Sequence, residues 1–498
     1  MTNTVEIDME MQELPTLYGR IADDLRQAIR RGVYLQGDRL PSLRGICQQY
    51  EVSLGTAVEA LGQLQDEGWV VPRDRSGFFV AAEAVQALSA PRQNPISSQP
   101  VSVNVGGVAM SVIGNARKPG ITNLGAGVPD AGLLPLQNLS RSISSVARRH
   151  YEVLAGYDEV EGVAALRRQI SRLMGDAGVE CAPEEVLITN GCQEALMLAL
   201  QCVTSPGDVV AVESPAFFGL LQAMEALQLK AVEIPVQYPG GVSPQAVQQV
   251  LQQHSVKACL LTPTHHNPMG VVMPTEDKQQ IVEMLADAGV PLIEDDIFGF
   301  LGFGGKRPPA AKSFDTGGNV ILCSSFSKAM APGLRLGWML PGKFMEQARR
   351  KKFLVNLTTS PLPQLAMAEY LGRGVFLRGL RRMTEQLQHR MWQMRKDLAD
   401  HFPADTRITH PEGGLFLWLE LPDQLDAQAL YEQAFQKGIG ILPGGLFSPS
   451  GNYQNHIRLT FASVSPEQSR KAIQEIAALL PGLPKASGPS VPQNTKMD

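Results

Sequence analysis

The sequence predicts a multidomain protein with a small N-terminal α+β domain and a larger α/β body that ends in a smaller α/β subdomain. A chain of 498 residues is longer than one ordinary hydrophobic core organises. Residues 83–118 contain several prolines, serines and glutamines without a hydrophobic period, so they separate two parts of the chain. From residue 121 onward, short apolar runs alternate with helical patterns, which is typical of a mostly parallel sheet covered on both faces.

The composition is that of a globular protein, with 44% apolar and 19% charged residues. A net charge of −5 argues against a basic field over the whole molecule, and no apolar run reaches the ~18 residues that a membrane span needs. Six cysteines without a CxxC pair, and the lack of a secretory leader, indicate a reducing compartment. We therefore expect a cytoplasmic protein that does not enter a membrane.

Residues 14–82 predict three helices and a hairpin. Apolar residues recur at helical spacing in the first helix, namely Leu17, Ile21, Leu25, Ala28 and Ile29. Ser42 and Ser53 suit the N-caps of the second and third helices. Two short strands follow within 69–80, around a turn at 74–77. Three helices followed by a hairpin predict a winged helix-turn-helix domain.

This segment resembles the GntR-type DNA-binding domain in its GDRLPSLR, V-S-x-x-T, EGW and SGFFV motifs. The resemblance implies double-stranded operator DNA as partner, and contacts to it from Arg44, Ser53, Thr56, Arg75 and Gly77. Leu54 stands where the family usually has arginine, which suggests an altered sequence preference. Residues 15–80 hold eight Arg, no Lys and eight acidic residues, so we expect weak binding unless two domains act together. The alternative is a small helical dimerisation module.

The remaining boundaries follow from composition. We expect residues 83–118 to be a flexible linker that lets the N-terminal domain move. The body should cover 119–485, with 345–485 as a separate α/β portion over the site. Residues 486–498 are rich in serine and proline, and we expect them to be disordered.

The stretch 323–338, CSSFSKAMAPGLRLGW, places one lysine after a predicted strand. A lysine such as Lys328, if buried near other cations, is a nucleophile for carbonyl groups. The hydroxyls of Ser325 and Ser327 and the guanidinium of Arg335 suit a phosphate beside it. Pyridoxal 5′-phosphate (PLP) carries both an aldehyde and a phosphate. On this stretch alone, a surface lysine in a polar loop fits equally well.

Other candidate groups follow neighbouring apolar runs, where ligands of parallel sheets bind. The runs are 186–189, 209–212, 258–261, 292–294, 320–323 and 336–340. After the first run, backbone N–H groups of Gly191, Cys192 and Gln193 can hold a phosphate, although an ordinary glycine turn has the same pattern. Phe217 after the second run can stack on a flat cofactor, or simply pack in the core.

Asn267 after the third run can donate to a ring oxygen, and a buried carboxylate after the fourth, Asp295, can keep a pyridine nitrogen protonated. The alternative at the fourth run is a Mg²⁺ site that also uses the adjacent Glu294 and Asp296. Neighbouring strand residues face opposite ways, which weakens that alternative. A pair of histidines at 265–266 lacks a third ligand at useful spacing, so we predict no metal.

As a set, the S-x-x-K, H-N-P-x-G and D-x-x-aromatic motifs resemble those of fold-type I aminotransferases, over roughly 119–485. The resemblance implies that Lys328 forms the internal aldimine with PLP, Asp295 pairs with the pyridine nitrogen, Asn267 bonds the ring oxygen and Phe217 stacks on the ring. It implies phosphate contacts from Gly191, Cys192, Gln193, Ser325 and Arg335. It further implies that Tyr157 reaches the phosphate of a partner subunit, that Arg458 clamps a substrate carboxylate and that the Gly127 backbone meets it. Phe298 replaces the tyrosine usual in the family.

A GntR-type domain joined to an aminotransferase-like body resembles the MocR subfamily of bacterial transcription regulators. This resemblance implies a homodimeric, PLP-binding regulator that senses PLP, an amine or an amino acid. The alternative is a working aminotransferase with an accessory DNA-binding domain, and steady turnover of an amino acid with a keto acid would distinguish the two.

Overall fold

The computed structural model describes residues 16–30, 32–73, 76–81, 89–93, 96, 99–116, 118–305 and 307–486. The chain divides into two compact units, residues 1–88 and 89–498, here called the head and the body. Arg75 and the predicted tail beyond residue 486 lie outside the described residues. None of the helices in the described ranges is long and apolar enough to cross a membrane.

The helices are α1 Leu17–Arg30, α2 Leu43–Tyr50, α3 Leu54–Asp66, α4 Gly106–Ala116, α5 Leu136–Arg149, α6 Ala164–Gly175, α7 Cys192–Val203, α8 Phe218–Ala226, α9 Pro244–Gln253, α10 Thr275–Asp287, α11 Met345–Asn356, α12 Pro361–Gly372, α13 Phe376–His401, α14 Ala427–Gln436 and α15 Pro466–Leu479. The strands are β1 Val70–Arg73, β2 Gly77–Val80, β3 Val101–Ser102, β4 Thr122–Asn123, β5 Leu187–Thr189, β6 Val209–Ser214, β7 Lys230–Gln237, β8 Gly241–Val242, β9 Val256–Leu261, β10 Leu292–Asp295, β11 Val320–Ser325, β12 Gly337–Leu340, β13 Arg407–Ile408, β14 Phe416–Glu420, β15 Ile439–Gly440, β16 Leu442–Pro443 and β17 His456–Thr460.

The head is the predicted winged helix-turn-helix domain. Helices α1 and α3 pack their apolar faces together, and the antiparallel pair β1–β2 sets Arg73 opposite Gly77. Both predicted caps form: Ser42 Oγ accepts from the Gly45 N–H, and Ser53 Oγ accepts from the Thr56 N–H, each at 3.2 Å. The caps satisfy N–H groups that lack partners at helix starts, which fixes where α2 and α3 begin.

The body contains the predicted α/β sheet, with strand order β3-β7-β6-β9-β10-β11-β12-β5 and β8 paired to β7. Its centre is parallel, whereas β12 runs antiparallel to both β11 and β5. Strands β10 and β11 are buried along their whole length, as their unbroken apolar runs require when helices cover both faces. The carboxyl ends of β9, β10 and β11 therefore lie side by side.

The expected linker of residues 83–118 differs from the structure from residue 89 onward. The Ser89 carbonyl oxygen accepts from the Ile408 N–H, and the Arg92 N–H donates to Glu420 of the body. Where we predicted no regular structure, β3 pairs antiparallel with β7 and α4 follows it. The carboxylate of Glu225 accepts from the Val105 N–H at 2.8 Å and from the Gly106 N–H at 2.7 Å. These contacts with distant residues hold 101–116 on the body. Strand β7 was not predicted from the sequence.

The C-terminal portion also differs from its predicted extent. Strands β13-β14-β17-β16 form a four-stranded antiparallel sheet, and α13 packs against α15. Helices α11 and α12, however, pack against α7, α5 and α6 of the larger part. By these packing contacts the smaller portion begins with α13 rather than at residue 345. It stays in one compact unit with the large sheet.

Candidate cofactor site and DNA-binding surface

The predicted residues of the body converge on one cavity of about 260 Å³. Strand ends, the start of α7 and strand β17 all contribute to its wall. The predicted residues that line it are Gly127, Cys192, Gln193, Phe217, Asn267, Asp295, Phe298, Ser325, Lys328, Arg335 and Arg458. Residues far apart in sequence thus share one site.

Lys328 follows β11 and supplies the nucleophilic amine. Its Nζ donates to the Gly127 carbonyl oxygen at 2.6 Å. Burial, with a smaller contribution from nearby Arg458, lowers the pKa of Lys328 to about 8. A larger share of the amine is therefore neutral near pH 7 than for an exposed lysine. Gly127 must be glycine, because a Cβ there would lie 2.7 Å from Phe416 Cζ.

Asp295 is a buried carboxylate at the end of β10. Burial raises its pKa to about 7, and the hydrogen bonds described for it come from uncharged donors, the Ile297 N–H at 3.2 Å and Cys192 Sγ at 3.4 Å. A cationic ring N–H placed here would stabilise the charged carboxylate. The Mg²⁺ alternative fits poorly, because Glu294 accepts from backbone N–H groups and Asp296 pairs with Arg307.

The start of α7 and Arg335 form the anion-binding end of the cavity. Gly191 caps α7 at φ +90°, and a Cβ there would lie 2.5 Å from Arg335 Nη2. Arg335 Nη2 donates to the Asn190 carbonyl oxygen at 2.9 Å. The first N–H groups of α7, the guanidinium and the Ser325 hydroxyl together suit a phosphate.

Arg458 on β17 is a buried cation. Its Nη1 donates to Asn267 Oδ1 at 2.8 Å and its Nη2 donates to the Gly125 carbonyl oxygen at 2.6 Å. Its guanidinium also lies over the Phe416 ring, 3.9 Å from the ring centroid. The described partners are thus uncharged, and a substrate carboxylate would supply the missing anion. Burial lowers the pKa of this guanidinium.

The aromatic walls are Phe217 and Phe298. Phe217, half-buried, lies beside Phe218 with ring centroids 4.6 Å apart. Phe298 is buried and packs edge-on against Phe416 at 5.7 Å. Because Asn267 Oδ1 is used by Arg458, the Asn267 amide nitrogen is the atom left to donate to a ring oxygen. Phe298 offers no hydroxyl there.

Several lining residues were not predicted, and two residues predicted for this site, Gly191 and Tyr157, are not among those that line the cavity. Phe416 and Gly125 line the cavity and contact Arg458, yet the sequence around them reads only as an ordinary apolar strand and a glycine-containing turn. Tyr157 is 85% exposed and is not among the lining residues. Its assignment to a partner subunit's site stays a prediction.

This donor set fits PLP. The cavity joins a nucleophilic amine, a carboxylate without a described cationic partner and an anion-binding helix start. A ring aldehyde, a ring nitrogen and a phosphate would meet these three groups.

On the head, the predicted DNA contacts lie on exposed or half-buried positions. Arg44 is exposed in the first turn of α2, and Ser53 and Thr56 start α3 with their hydroxyls 2.9 Å apart. Gly77 begins β2 at φ +96°, facing Arg39. Arg75 falls outside the described residues, so its role stays a prediction.

Comparison with known proteins assigns both parts. Residues 119–476 match the family model of aminotransferase class I and II, and residues 17–80 match that of bacterial regulatory proteins of the gntR family. The chain is 36% identical over 463 residues to the uncharacterized HTH-type transcriptional regulator YdcR of Escherichia coli K12, covering 93% of this chain and 98% of YdcR. It is 27% identical over 468 residues to the probable rhizopine catabolism regulatory protein MocR of Rhizobium meliloti, covering 92% and 93%.

The chain belongs to the MocR subfamily of GntR-type transcriptional regulators. The body of this MocR-type chain is similar to the crystal structure of LysN, an α-aminoadipate aminotransferase from Thermus thermophilus complexed with N-(5′-phosphopyridoxyl)-L-leucine. The TM-score is 0.68 at 28% identity, covering 75% of this chain and 97% of LysN. PLP is the cofactor of this fold family, and the cavity described above fits it.

Proposed function

We propose that this chain is a homodimeric transcription regulator that binds operator DNA with its heads and senses an amine or amino acid at the PLP site of its body. The observation that carries the proposal is the buried Arg458. It sits in the cofactor cavity with only uncharged partners among those described, in a chain that begins with a helix-turn-helix domain. A buried cation without an anion is a binding site for a carboxylate.

The residues of the cavity have separate roles in recognition. When bound, PLP supplies an aldehyde for amines and a ring that withdraws electrons. Lys328 would meet the aldehyde of the cofactor, and its Nζ holds or releases a proton. Asp295 would favour the protonated form of the ring nitrogen, and Arg335 with the start of α7 would hold the phosphate. Arg458 orients the carboxylate of an amino acid, so specificity for amino acids over plain amines depends on it.

The homodimer rests on two features. Residues 15–80 of the head are net neutral, with eight arginines and eight acidic residues, so paired heads would be needed for tight operator binding. Tyr157 is strongly exposed, as expected for a side chain that completes the site of a partner subunit. Sedimentation of the cofactor-loaded protein should give twice the chain mass of 54.0 kDa. A monomer at working concentration would contradict the dimer.

The test of sensing is a titration of operator DNA in three states: without cofactor, with PLP, and with PLP plus amino acids. We expect affinity to change by roughly 5–150-fold between states, the usual range of allosteric coupling. Arg458→Ala, with PLP still bound, should lose the response to amino acids but keep the response to PLP. Equal operator affinity in all states would leave the body without a sensory role.

A second candidate, a working aminotransferase, is favoured by the Lys328 environment. The lowered pKa and the bond to the Gly127 carbonyl suit an amine that must exchange protons repeatedly. Steady turnover of an amino acid with a keto acid, lost in Lys328→Ala, would favour this candidate. A single half-reaction without turnover would favour the sensor.

A further inference from the structure

Helix α3 exposes two neighbouring apolar side chains near its start. Its inner face packs Ala57, Ala60, Leu61 and Leu64 into the head. Beside that face, Leu54 is 57% exposed and Val58 is 48% exposed. The two residues are four positions apart, so their side chains lie next to each other on the helix surface. The helix contains no lysine or arginine.

Two glycines lie next to these side chains, on the side of the helix that also carries the exposed Glu59. A Cβ at Gly62 would meet no described atom within 4 Å, and a Cβ at Gly55 would meet only Ser53 Oγ at 3.8 Å. Neither glycine has a positive φ. A glycine inside a helix costs about 1 kcal/mol relative to alanine. Glycines on an open helix surface allow a close approach by another molecule.

The position of α3 in the helix-turn-helix motif indicates that this molecule is DNA. Helix α3 is the second helix of the helix-turn-helix, and its start is fixed by the Ser53 cap beside the predicted DNA contacts Ser53 and Thr56. In this motif the start of the second helix enters the major groove and contacts base edges. Thymine alone places an apolar group, its C5-methyl, on the base edges of that groove, and apolar side chains contact it.

We propose that Leu54 and Val58 read thymine methyl groups in the major groove of the operator. This rests on the proposed function, in which the head binds duplex DNA. Electrostatic attraction then comes from residues outside α3, since the exposed Arg44 lies on α2 and Arg73 on β1. Base discrimination and phosphate affinity are therefore carried by different elements of the head.

The proposal can be tested by removing single methyl groups from the DNA. Full-length, PLP-loaded protein first selects duplexes from a random-sequence pool. Each thymine of the selected half-sites is then replaced by deoxyuridine, which lacks only the C5-methyl. We expect affinity to fall about fourfold for each contacted methyl, the factor for exposing one methylene-sized group. The slope of log affinity against log salt should stay unchanged, because no phosphate contact is lost.

Protein variants test whether Leu54 and Val58 cause the discrimination between thymine and deoxyuridine. The double variant Leu54→Ala, Val58→Ala should bind thymine and deoxyuridine duplexes with equal affinity. The matched control is Leu17→Ala, because Leu17 is 54% exposed but lies at the start of α1, and this variant should keep the full discrimination. Alanine at exposed helix positions is not expected to disturb folding, and circular dichroism checks this.

The inference would be overturned by equal binding of both duplexes by the unaltered protein, by full discrimination in the double variant, or by selected half-sites without thymine. If the double substitution changes only the oligomeric mass of the protein in solution, this face of α3 serves association between protein chains. That outcome would also overturn the inference. If the selection enriches no sequence at all, the proposed function fails as well. Enrichment without a methyl effect removes only the present inference.

Discussion

Lys328 determines whether the cofactor is held covalently. Lys328→Ala should abolish the visible band of covalently attached PLP and leave weaker binding through the phosphate end, which the substitution does not touch. Absorbance spectra, and mass after borohydride reduction, check this, with the exposed Lys343→Ala as control. An unchanged band in Lys328→Ala would remove this lysine from its role.

Asp295 should make the stability of the cofactor-free protein depend on pH. Burial raises its pKa from 3.8 to about 7, so the folded state retains a proton that the unfolded chain releases in this window. The stabilisation from protonated Asp295 is full below pH 4 and is lost as pH rises toward 7 and above.

The variant Asp295→Asn keeps an uncharged side chain of the same shape at every pH. Its free energy of unfolding should therefore rise relative to the unaltered protein by up to about 4 kcal/mol between pH 4 and 7. Chemical denaturation of both proteins across this range measures the difference. Parallel profiles of unfolding free energy against pH would show that Asp295 titrates normally. PLP should flatten the profile of the unaltered protein, because its ring nitrogen supplies a cation.

Phe298 lines the cavity where the family usually has a tyrosine. A hydroxyl at this position would donate to the ring oxygen of PLP and draw electron density from it. The proton of the imine between PLP and Lys328 should therefore be lost at lower pH. The midpoint of the visible pH titration should thus move down in Phe298→Tyr, provided that no other hydroxyl already occupies the place. Phe303→Tyr, outside the cavity lining, serves as control; no shift, or an upward one, contradicts the expectation.

Helix α2 exposes Arg44 in its first turn, directly after the capped start of the helix. If Arg44 reads a base, Arg44→Ala should weaken specific binding by about 1–3 kcal/mol. If it holds a phosphate, the loss should be smaller and the salt slope should fall by about one. Titrations at several salt concentrations separate these cases, and Arg20→Ala, also exposed but on α1, is the control. Full affinity in Arg44→Ala at all salt concentrations would exclude the residue from the interface.

The elements also explain which local predictions succeeded. Helix α3 could be predicted because its cap, apolar period and length are local properties of 53–66. Helix α4 could not, because it begins with two glycines and is held by the carboxylate of Glu225, 119 residues away from Gly106. A contact at that distance leaves no local pattern, and it overrides a poor helix propensity.

In the complete molecule, sensing requires that the body and the heads influence each other's equilibria. Linkage makes that influence reciprocal: if an amino acid changes operator affinity by a given factor, operator DNA must change amino-acid affinity by the same factor. We expect a factor of roughly 5–150. Spectral titration of the PLP-loaded protein with amino acids, with and without operator, measures it. Unequal factors in the two directions would mean that the titrations had not reached equilibrium, and a factor of one in both directions would contradict coupling between the body and the heads.

The sequence by itself determined the two-part architecture, the helix caps of the head and many of the residues that line the cavity of the body. These depend on local order: Asp295 ends a short apolar strand, and Lys328, Asn267 and Gly191 each follow one. Strands of a parallel sheet bring their carboxyl ends together. The motifs therefore fixed which residues would meet.

Only the tertiary structure decided how they meet. Arg458 bonds Asn267 across 191 positions, and Lys328 bonds the Gly127 carbonyl across 201. Phe416 joins the site because the smaller sheet places β14 beside β17, which no pattern in either strand specifies. The extent of the body at 101–116 and the start of the smaller subdomain at α13 were settled in the same way. Contacts between distant segments depend on the packing of whole elements, and a single sequence does not encode that packing locally.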